Sequence, residues 1–400
     1  MNKIVVLGGT GTIGQMIVKD LVESGMHVIA ADLNLAKLEE LKEQTNHRIE
    51  IESLNIQDSN KTKMVLSKGK VCINATNYIF NINVMKAAAA AGVSVLDLGG
   101  LYNLTKEQLK LDQLMKDSNI LSIVGMGSDP GTSNIFSRYG VELLDVAEEI
   151  HIRYGSSTSG VTFPFAIDTI IDEATKNAVA VKEGTVLEIP PLADEELTFF
   201  HEDVGAQKTY SIIHSELATL PDSFPEVKTI TYKDSWDPAT IEKIKTLHSL
   251  GLLQTEPIEV LGENVSPRRQ IVSFLQKLLA LKEEPIWGKD SLLVEVIGWK
   301  NGNKASVKLE LLTDYQPKWK ASATQYATAI PASIVAQMII NGEVTETGVK
   351  PPETCIDPKT FLAYLNQKNV NLHITYTETV TPNRDTAKWQ EPRFVETTID

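Results

Sequence analysis

Met1-Asn-Lys-Ile-Val-Val-Leu-Gly-Gly-Thr-Gly-Thr-Ile-Gly14 opens the chain and decides how the rest is read. Ile4–Leu7 is an apolar run suited to a buried parallel strand. It leads straight into glycines at 8, 9, 11 and 14. Two spacings overlap there, Gly9-x-Gly11-x-x-Gly14 and Gly8-x-x-Gly11-x-x-Gly14. Both serve one physical need: glycine lets the chain turn sharply and lets backbone N–H groups approach a pyrophosphate at the positive end of the next helix. Gly8, Gly9, Thr10, Gly11, Thr12, Ile13 and Gly14 are therefore candidate dinucleotide-binding residues.

The flanking sequence has the periodicity this requires. Ile13, Ile17 and Leu21 recur at helical spacing, and Gly25 stops that helix. His27–Ala31 reads as a second strand, with Asp32 at its C-terminal end. A carboxylate there accepts both ribose hydroxyls of adenosine and repels a 2′-phosphate. The cofactor is expected to be NAD, with NADP disfavoured. The competing role for Asp32 is a turn residue or the cap of a helix starting near Leu35.

At 400 residues the chain has room for two domains, each with a core. The formal net charge is −14, from 38 Lys and Arg against 52 Asp and Glu, with no basic block. This argues against nucleic-acid binding and against docking on an anionic membrane. No apolar run approaches a membrane span, and the N-terminus does not read as a signal peptide. Cys72 and Cys355 are the only cysteines. They suggest a reducing, cytoplasmic setting, and no zinc-type pattern of Cys and His is present.

Residues 1 to about 130 alternate strand and helix signals. Further strands are expected at 49–56, 71–74, 94–98 and 120–124, and further helices at 35–44, 61–67, 81–91 and 106–116, the last with Thr105 as a cap. Such a chain folds as a doubly wound, Rossmann-type parallel α/β sheet, whose ligands lie beyond the carboxyl ends of its strands. This adds Asn74, Ala75, Thr76, Gly99 and Gly100 to the candidate cofactor residues. It also singles out the loop Gly125-Met-Gly-Ser-Asp-Pro-Gly-Thr-Ser-Asn134. Asp129 there either meets a substrate amine or water beside the nicotinamide, or it caps the next helix, a role open also to Thr132.

From about 145 the rhythm changes. Strand signals recur at 149–154, 186–189, 197–200, 209–213 and 228–233, with helices at 166–177, 241–250 and 268–280. The runs 292–299 and 305–312 flank Lys300-Asn-Gly-Asn303 and read as a hairpin. The expected organisation is a nucleotide-binding domain over 1–135, an inserted α+β substrate and dimerisation domain over 136–324, a return to the first domain over about 325–375, and a polar tail over 376–400.

The chain resembles the saccharopine dehydrogenase-like family, with its lysine 6-dehydrogenase and carboxynorspermidine dehydrogenase branches, over roughly 1–375. Beside the glycine loop, the resemblance rests on Leu96-Asp97-Leu98-Gly99-Gly100, Asp129-Pro130-Gly131, Asn177-Ala178, Glu188-Ile-Pro-Pro191, His214-Ser-Glu216, Thr219-Leu-Pro221 and Pro351-Pro-Glu353. It implies nicotinamide-dependent oxidation of a C–H bond beside an amine with hydrolysis of the imine, or imine reduction in reverse. It implies a small amino-acid or opine-like substrate and a homodimer. It places Asp129 as the leading catalytic polar group and His214 as a second proton-transfer candidate. Tyr154, where the first strand of the inserted domain meets its Gly/Ser-rich loop, is a candidate for the pocket wall. Glu216 reads as a solvated carboxylate. One segment departs from the family. Where relatives commonly carry Arg, an aromatic, Gly and often His, this chain reads Lys233-Asp-Ser-Trp-Asp-Pro-Ala-Thr240. Arg153, Lys233, Arg268 and Arg269 are the available replacements as carboxylate binders.

Two other readings compete. Short-chain dehydrogenases need a Tyr-x-x-x-Lys pair. Tyr102/Lys106 falls too early for this and Tyr364/Lys368 too late. A dinucleotide-binding sensor without turnover would share the glycine loop and lack the chemistry.

Overall fold

The computed structural model describes residues 2–158, 165–280, 286–379 and 396–397. Strands β1 (Lys3–Leu7), β2 (His27–Asp32), β3 (Ile49–Ser53), β4 (Val71–Asn74), β5 (Ser94–Asp97) and β6 (Leu121–Ile123) form a parallel sheet. Its crossovers are α1 (Gly14–Glu23), α2 (Leu35–Gln44), α3 (Ser59–Leu66), α4 (Asn81–Ala91), α5 (Leu101–Leu109) and α6 (Asp112–Asp117). The order across the sheet, β3-β2-β1-β4-β5-β6, reverses direction beside β1. That reversal opens the crevice in which such folds hold dinucleotides. Ile4, Val5, Val6 and Leu7 are all buried, as a strand covered on both faces requires.

After β6 the loop of interest leads into α7 (Thr132–Leu143). The chain then builds a second, mixed sheet. Its strands are β7 (Val146–Ser156), β8 (Ala178–Lys182), β9 (Thr185–Ile189), β10 (Ala193–Phe199), β11 (Ala206–Ser211) and β12 (Thr229–Ser235). Between them lie α8 (Ile167–Thr175) and the short α9 (Leu220–Ser223). Then come α10 (Pro238–Ser249), a separate small hairpin of β13 (Ile258–Val260) and β14 (Glu263–Val265), and α11 (Pro267–Ala280). The long hairpin β15 (Lys289–Lys300) and β16 (Asn303–Asp314) turns at Asn301-Gly302, where both residues have positive φ. That is the geometry a tight two-residue hairpin turn demands.

The helix α12 (Ala323–Asn341) is apolar nearly all round and buried along most of its length. It packs against α1 and β16 and so ties the two sheets together. A reciprocal Ser322–Gln325 capping box starts it, and Gly342 in the left-handed region ends it. β17 (Gly348–Lys350) then joins the first sheet as its seventh strand, beside β6. β18 (Asn371–Thr379) crosses back to pair antiparallel with β16, and β19 (Glu396–Thr397) pairs β18.

Several expectations are corrected. The single helix expected over 106–116 is two, α5 and α6, and Thr105 lies inside α5 with its hydroxyl 3.3 Å from Ser215 Oγ. β8 carries no strong alternation and was not expected. The return to the first sheet ends at β17 and the helices that follow it, because the alternating run 371–379 joins the other sheet between β16 and β19. Of the polar tail 376–400, positions 380–395 and 398–400 lie outside the described residues.

Candidate active site

A cavity of ≈ 730 Å³ runs from the glycine loop to the second sheet. At the first end it is lined by Thr10, Gly11, Thr12 and Ile13, with Ala75, Thr76, Leu98 and Gly99 from the ends of β4 and β5. Backbone geometry makes this end. Gly8 has φ +73°, and a Cβ on it would lie 2.8 Å from Ala75 O. A Cβ on Gly14 would lie 2.0 Å from Gly8 O. These two glycines shape the turn from within and do not line the cavity. Gly9 is held likewise, its N–H donating to Ala31 O at 3.1 Å. α1 begins with no side-chain cap and no acid in its first turn. The Gln15 and Met16 N–H groups already donate to Gly11 O and Ile13 O, each at 3.0 Å, so it is the positive end of the helix dipole, with no acid set against it, that is open to an anion. The loop fits a dinucleotide pyrophosphate.

The other expected cofactor residues fall into two groups. Ala75, Thr76 and Gly99 line the cavity. Asn74 is buried behind them, its Oδ1 accepting from Thr76 N–H and Oγ1 at 3.3 and 2.7 Å. Gly100 likewise supports from behind, donating to Ser215 Oγ at 3.2 Å. Asp32 sits at the end of β2, partly exposed, and accepts from Thr10 N–H at 3.1 Å and Asn34 N–H at 3.3 Å. The cap of α2 is Asn34, whose Oδ1 accepts from Lys37 N–H at 3.1 Å. Asp32 is thus a turn acceptor at the end of β2 and does not itself line the cavity, whereas Lys37 does.

The far end is built from ionisable side chains. Asp129, Glu173, Asp234, His214, Tyr154 and Tyr232 all line it. Asp129 does not cap α7. Gly131 N–H is taken by Asn134 Oδ1 at 3.0 Å, and Asp129 instead accepts a short hydrogen bond from the Tyr232 hydroxyl. Burial lifts the Asp129 carboxyl to about 6, with His214 opposing and Glu216 adding to the rise. The His214 ring stacks flat on Tyr232, centroids 3.9 Å apart, and its Nδ1 bonds Glu216. Burial alone would lower the His214 pKa, but Glu216, then Asp129 and Glu173, outweigh it and raise it to about 9. Glu216 is fully buried, not solvated as expected, and also accepts from Ser133 Oγ at 2.7 Å. Tyr154 does line the cavity, and its hydroxyl donates to Asp290 at 2.5 Å.

Strand alternation explains which groups arrive here. β7 and β12 run parallel with Arg153 opposite Lys233 and Tyr154 opposite Asp234. Successive side chains of a strand point to opposite faces. Tyr154, Tyr232 and Asp234 share the cavity face, and Arg153 and Lys233 share the other. There Arg153 is bidentate to Glu196, at 3.1 and 2.9 Å, and Lys233 reaches Glu196 at 2.9 Å and Asp194 at 3.4 Å. Arg268 is held by Asp168 at 3.0 Å and Asp172 at 2.6 Å, and Arg269 is exposed. None of the four expected carboxylate binders lines the cavity. Glu173, Tyr232 and Asp234 were missed. The signal for two of them was the Tyr232-x-Asp234 alternation that runs into the departing segment.

The fold, the uncapped glycine loop and the ionisable pocket facing it define a dinucleotide-dependent oxidoreductase. Residues 4–123 match the model of the saccharopine dehydrogenase NADP binding domain, and residues 127–370 match that of the saccharopine dehydrogenase C-terminal domain. The chain belongs to the saccharopine dehydrogenase family. It is 23% identical over 394 residues to carboxyaminopropylagmatine dehydrogenase of a Synechocystis species, covering 93% of this chain and 97% of that one. It is also 23% identical over 366 residues to carboxynorspermidine synthase of Vibrio alginolyticus, covering 85% and 86%. In fold it matches apo saccharopine dehydrogenase (L-Glu forming) of Saccharomyces cerevisiae, with TM-score 0.74, 16% identity, and 95% and 100% of the two chains covered. No helix among the described residues is long and apolar enough to cross a membrane.

Proposed function

We propose that the protein is an NAD-dependent oxidoreductase of C–N bonds. It interconverts a carboxylate-bearing secondary amine with its imine, which water hydrolyses to a carbonyl compound and a primary amine. One observation carries this reading: the cavity that begins at the glycine loop ends on Asp129, His214 and Tyr232. Hydride transfer and proton transfer need such proximity of cofactor and acid–base groups.

When bound, the dinucleotide supplies the hydride acceptor or donor, held by the Thr10–Gly14 loop with Thr76 and Gly99 beside it. The protein's own residues handle the protons. Above pH about 6 the Asp129 carboxylate accepts the proton that the amine nitrogen loses as its neighbouring C–H bond breaks. The Tyr232 hydroxyl fixes that carboxylate, and His214, held cationic by Glu216, stabilises it and can return a proton to nitrogen in the reverse direction. Tyr154 is held in place by Asp290 and closes the wall. NAD is proposed over NADP because Asp32 ends β2, where such folds commonly carry the acid that meets the adenosine ribose, although Lys37 on the cavity wall would favour a 2′-phosphate if that carboxylate were lost.

The two relatives matched along nearly their whole lengths, one named a synthase and one a dehydrogenase of carboxyalkyl amines, favour a substrate of that kind and make imine reduction the second reading of direction. The test is NADH formation or consumption with saccharopine, lysine and carboxynorspermidine. Turnover of at least one is expected. None, with NADH demonstrably bound, would leave a dinucleotide sensor.

A further inference from the structure

The substrate end of the cavity continues into a second space of ≈ 360 Å³ that shares Tyr154, Phe165, Glu173, Asp234 and Thr324 with the first. The walls of this joint space have an unbalanced chemistry. Asp129, Glu173 and Asp234 face the first space, and Asp237 lines the second. No arginine lines either space among the described residues. His214 and Lys37 are the basic side chains on these walls, and Lys37 belongs to the glycine-loop end.

Glu173 provides a separate observation. Its side chain is 95% buried, since only 5% of the residue is exposed, yet it makes no hydrogen bond or ion pair among the described residues. Its neighbour in sequence, Asp172, shows what a satisfied carboxylate on α8 looks like. Asp172 turns the other way, onto Arg268 at 2.6 Å and the Tyr78 hydroxyl. An ionised carboxylate buried without a partner is costly, and here no protein cation or hydrogen-bond donor offsets that cost, so the group is left to take up a proton or to meet a ligand that enters the cavity. Its only close charged company is acidic apart from His214, and His214 is already engaged by Glu216.

We propose that Glu173 and Asp234 bind a positively charged nitrogen on the arm of the substrate remote from the reacting carbon. This makes the substrate a carboxyalkyl derivative of an aliphatic di- or polyamine, and excludes one whose remote arm ends in carboxylate. The inference rests on the proposed C–N chemistry for the word substrate, and on the cavity walls alone for the sign of the arm. An ammonium group gives both carboxylates the hydrogen-bonded partner they lack, and a dicarboxylic arm would meet three acids in a low-dielectric space. Burial raises the Glu173 carboxyl to about 8 and that of Asp234 well above the usual range, with Asp129 repelling both. Without a ligand, then, these acids tend to hold protons, and cation binding should release them.

The test uses the full chain with saturating NADH. Calorimetry with norspermidine and with glutarate presents the same site with arms of opposite charge. Norspermidine should bind, with an affinity that rises with pH from 6 to 9 as proton release becomes easier, and glutarate should not. Glu173→Gln should weaken norspermidine at least tenfold with NADH affinity unchanged, which also reports an intact fold. Asp234→Asn provides a second variant with the same expectation. Equal or tighter binding of glutarate, or norspermidine affinity unmoved in both variants, overturns the proposal. Failure of the C–N reading is read separately, as absence of hydride transfer to or from bound cofactor, so a sensor that binds polyamines and an oxidoreductase of dicarboxylic amines give different results.

Discussion

The two ends of the cavity are built by different means. The glycine-loop end is made of backbone: Gly8 and Gly14 at positions that exclude a side chain, and an uncapped helix start. The ionisable end is made of side chains brought from α8, β7, β12 and the loops before α7 and after β11. A backbone site is written locally in sequence and recognises a feature common to all dinucleotides. A side-chain site is assembled from afar and recognises one substrate. The first end tolerates little change in shape, and the second little change in charge.

Substitutions can break this contrast. The largest effect is expected from Asp129→Asn, which should lower turnover by about 10²–10⁴-fold and leave NADH affinity nearly unchanged. An equal loss of NADH binding would mean the two ends are not separable. Gly14→Ala should do the reverse. A Cβ placed 2.0 Å from Gly8 O forces the loop open, and NADH affinity measured by fluorescence titration should fall at least tenfold.

A smaller effect is expected at Asp32. Asp32→Ala should narrow the preference for NADH over NADPH, because the carboxylate is lost and Lys37 remains. Tighter NADPH binding in the unmodified protein would contradict the reading of Asp32.

The smallest effect is on stability, and its sign follows from the raised pKa values. Asp129, Glu173 and His214 all bind protons more tightly when folded, with values of about 6, about 8 and about 9. A raised group contributes stability below its unfolded value and loses it as pH rises through the folded one. Tm of the dinucleotide-free protein should therefore fall as pH rises from 4 to 9. Glu173→Gln should flatten the part of that fall centred between pH 4.5 and 8. A Tm that rises over this range would contradict the burial of these acids.

The same contrast explains what was legible in the sequence. The glycine loop, the alternation of strands and helices, and the Asn301-Gly302 hairpin are local patterns, and the fold follows from them. Asp129 stood out by its loop as well as by resemblance, His214 by resemblance, and Tyr154 by its place at the end of a strand. The carboxylate binders failed because Arg153 and Lys233 lie on the opposite strand face from Tyr154 and Asp234, and only the β7–β12 register shows which face meets the cavity. Glu173 lies in a stretch read only as a helix over 166–177, and it is α8 that turns it into the cavity. Residues 233–240, where the resemblance to relatives breaks, prove to line the cavity through Asp234, Ser235, Trp236, Asp237 and Thr240. The break in pattern thus falls on the wall of the proposed substrate end.

The most direct test of the central claim is whether a hydride passes between amine and cofactor in this cavity. Carboxynorspermidine deuterated at the two carbons beside its secondary nitrogen would be incubated with NAD and the protein, and the reduced cofactor analysed by mass spectrometry. The account predicts deuterium in the NADH formed, and its loss with Asp129→Asn. Unlabelled cofactor, with NAD bound and every amine tried left intact, would contradict it.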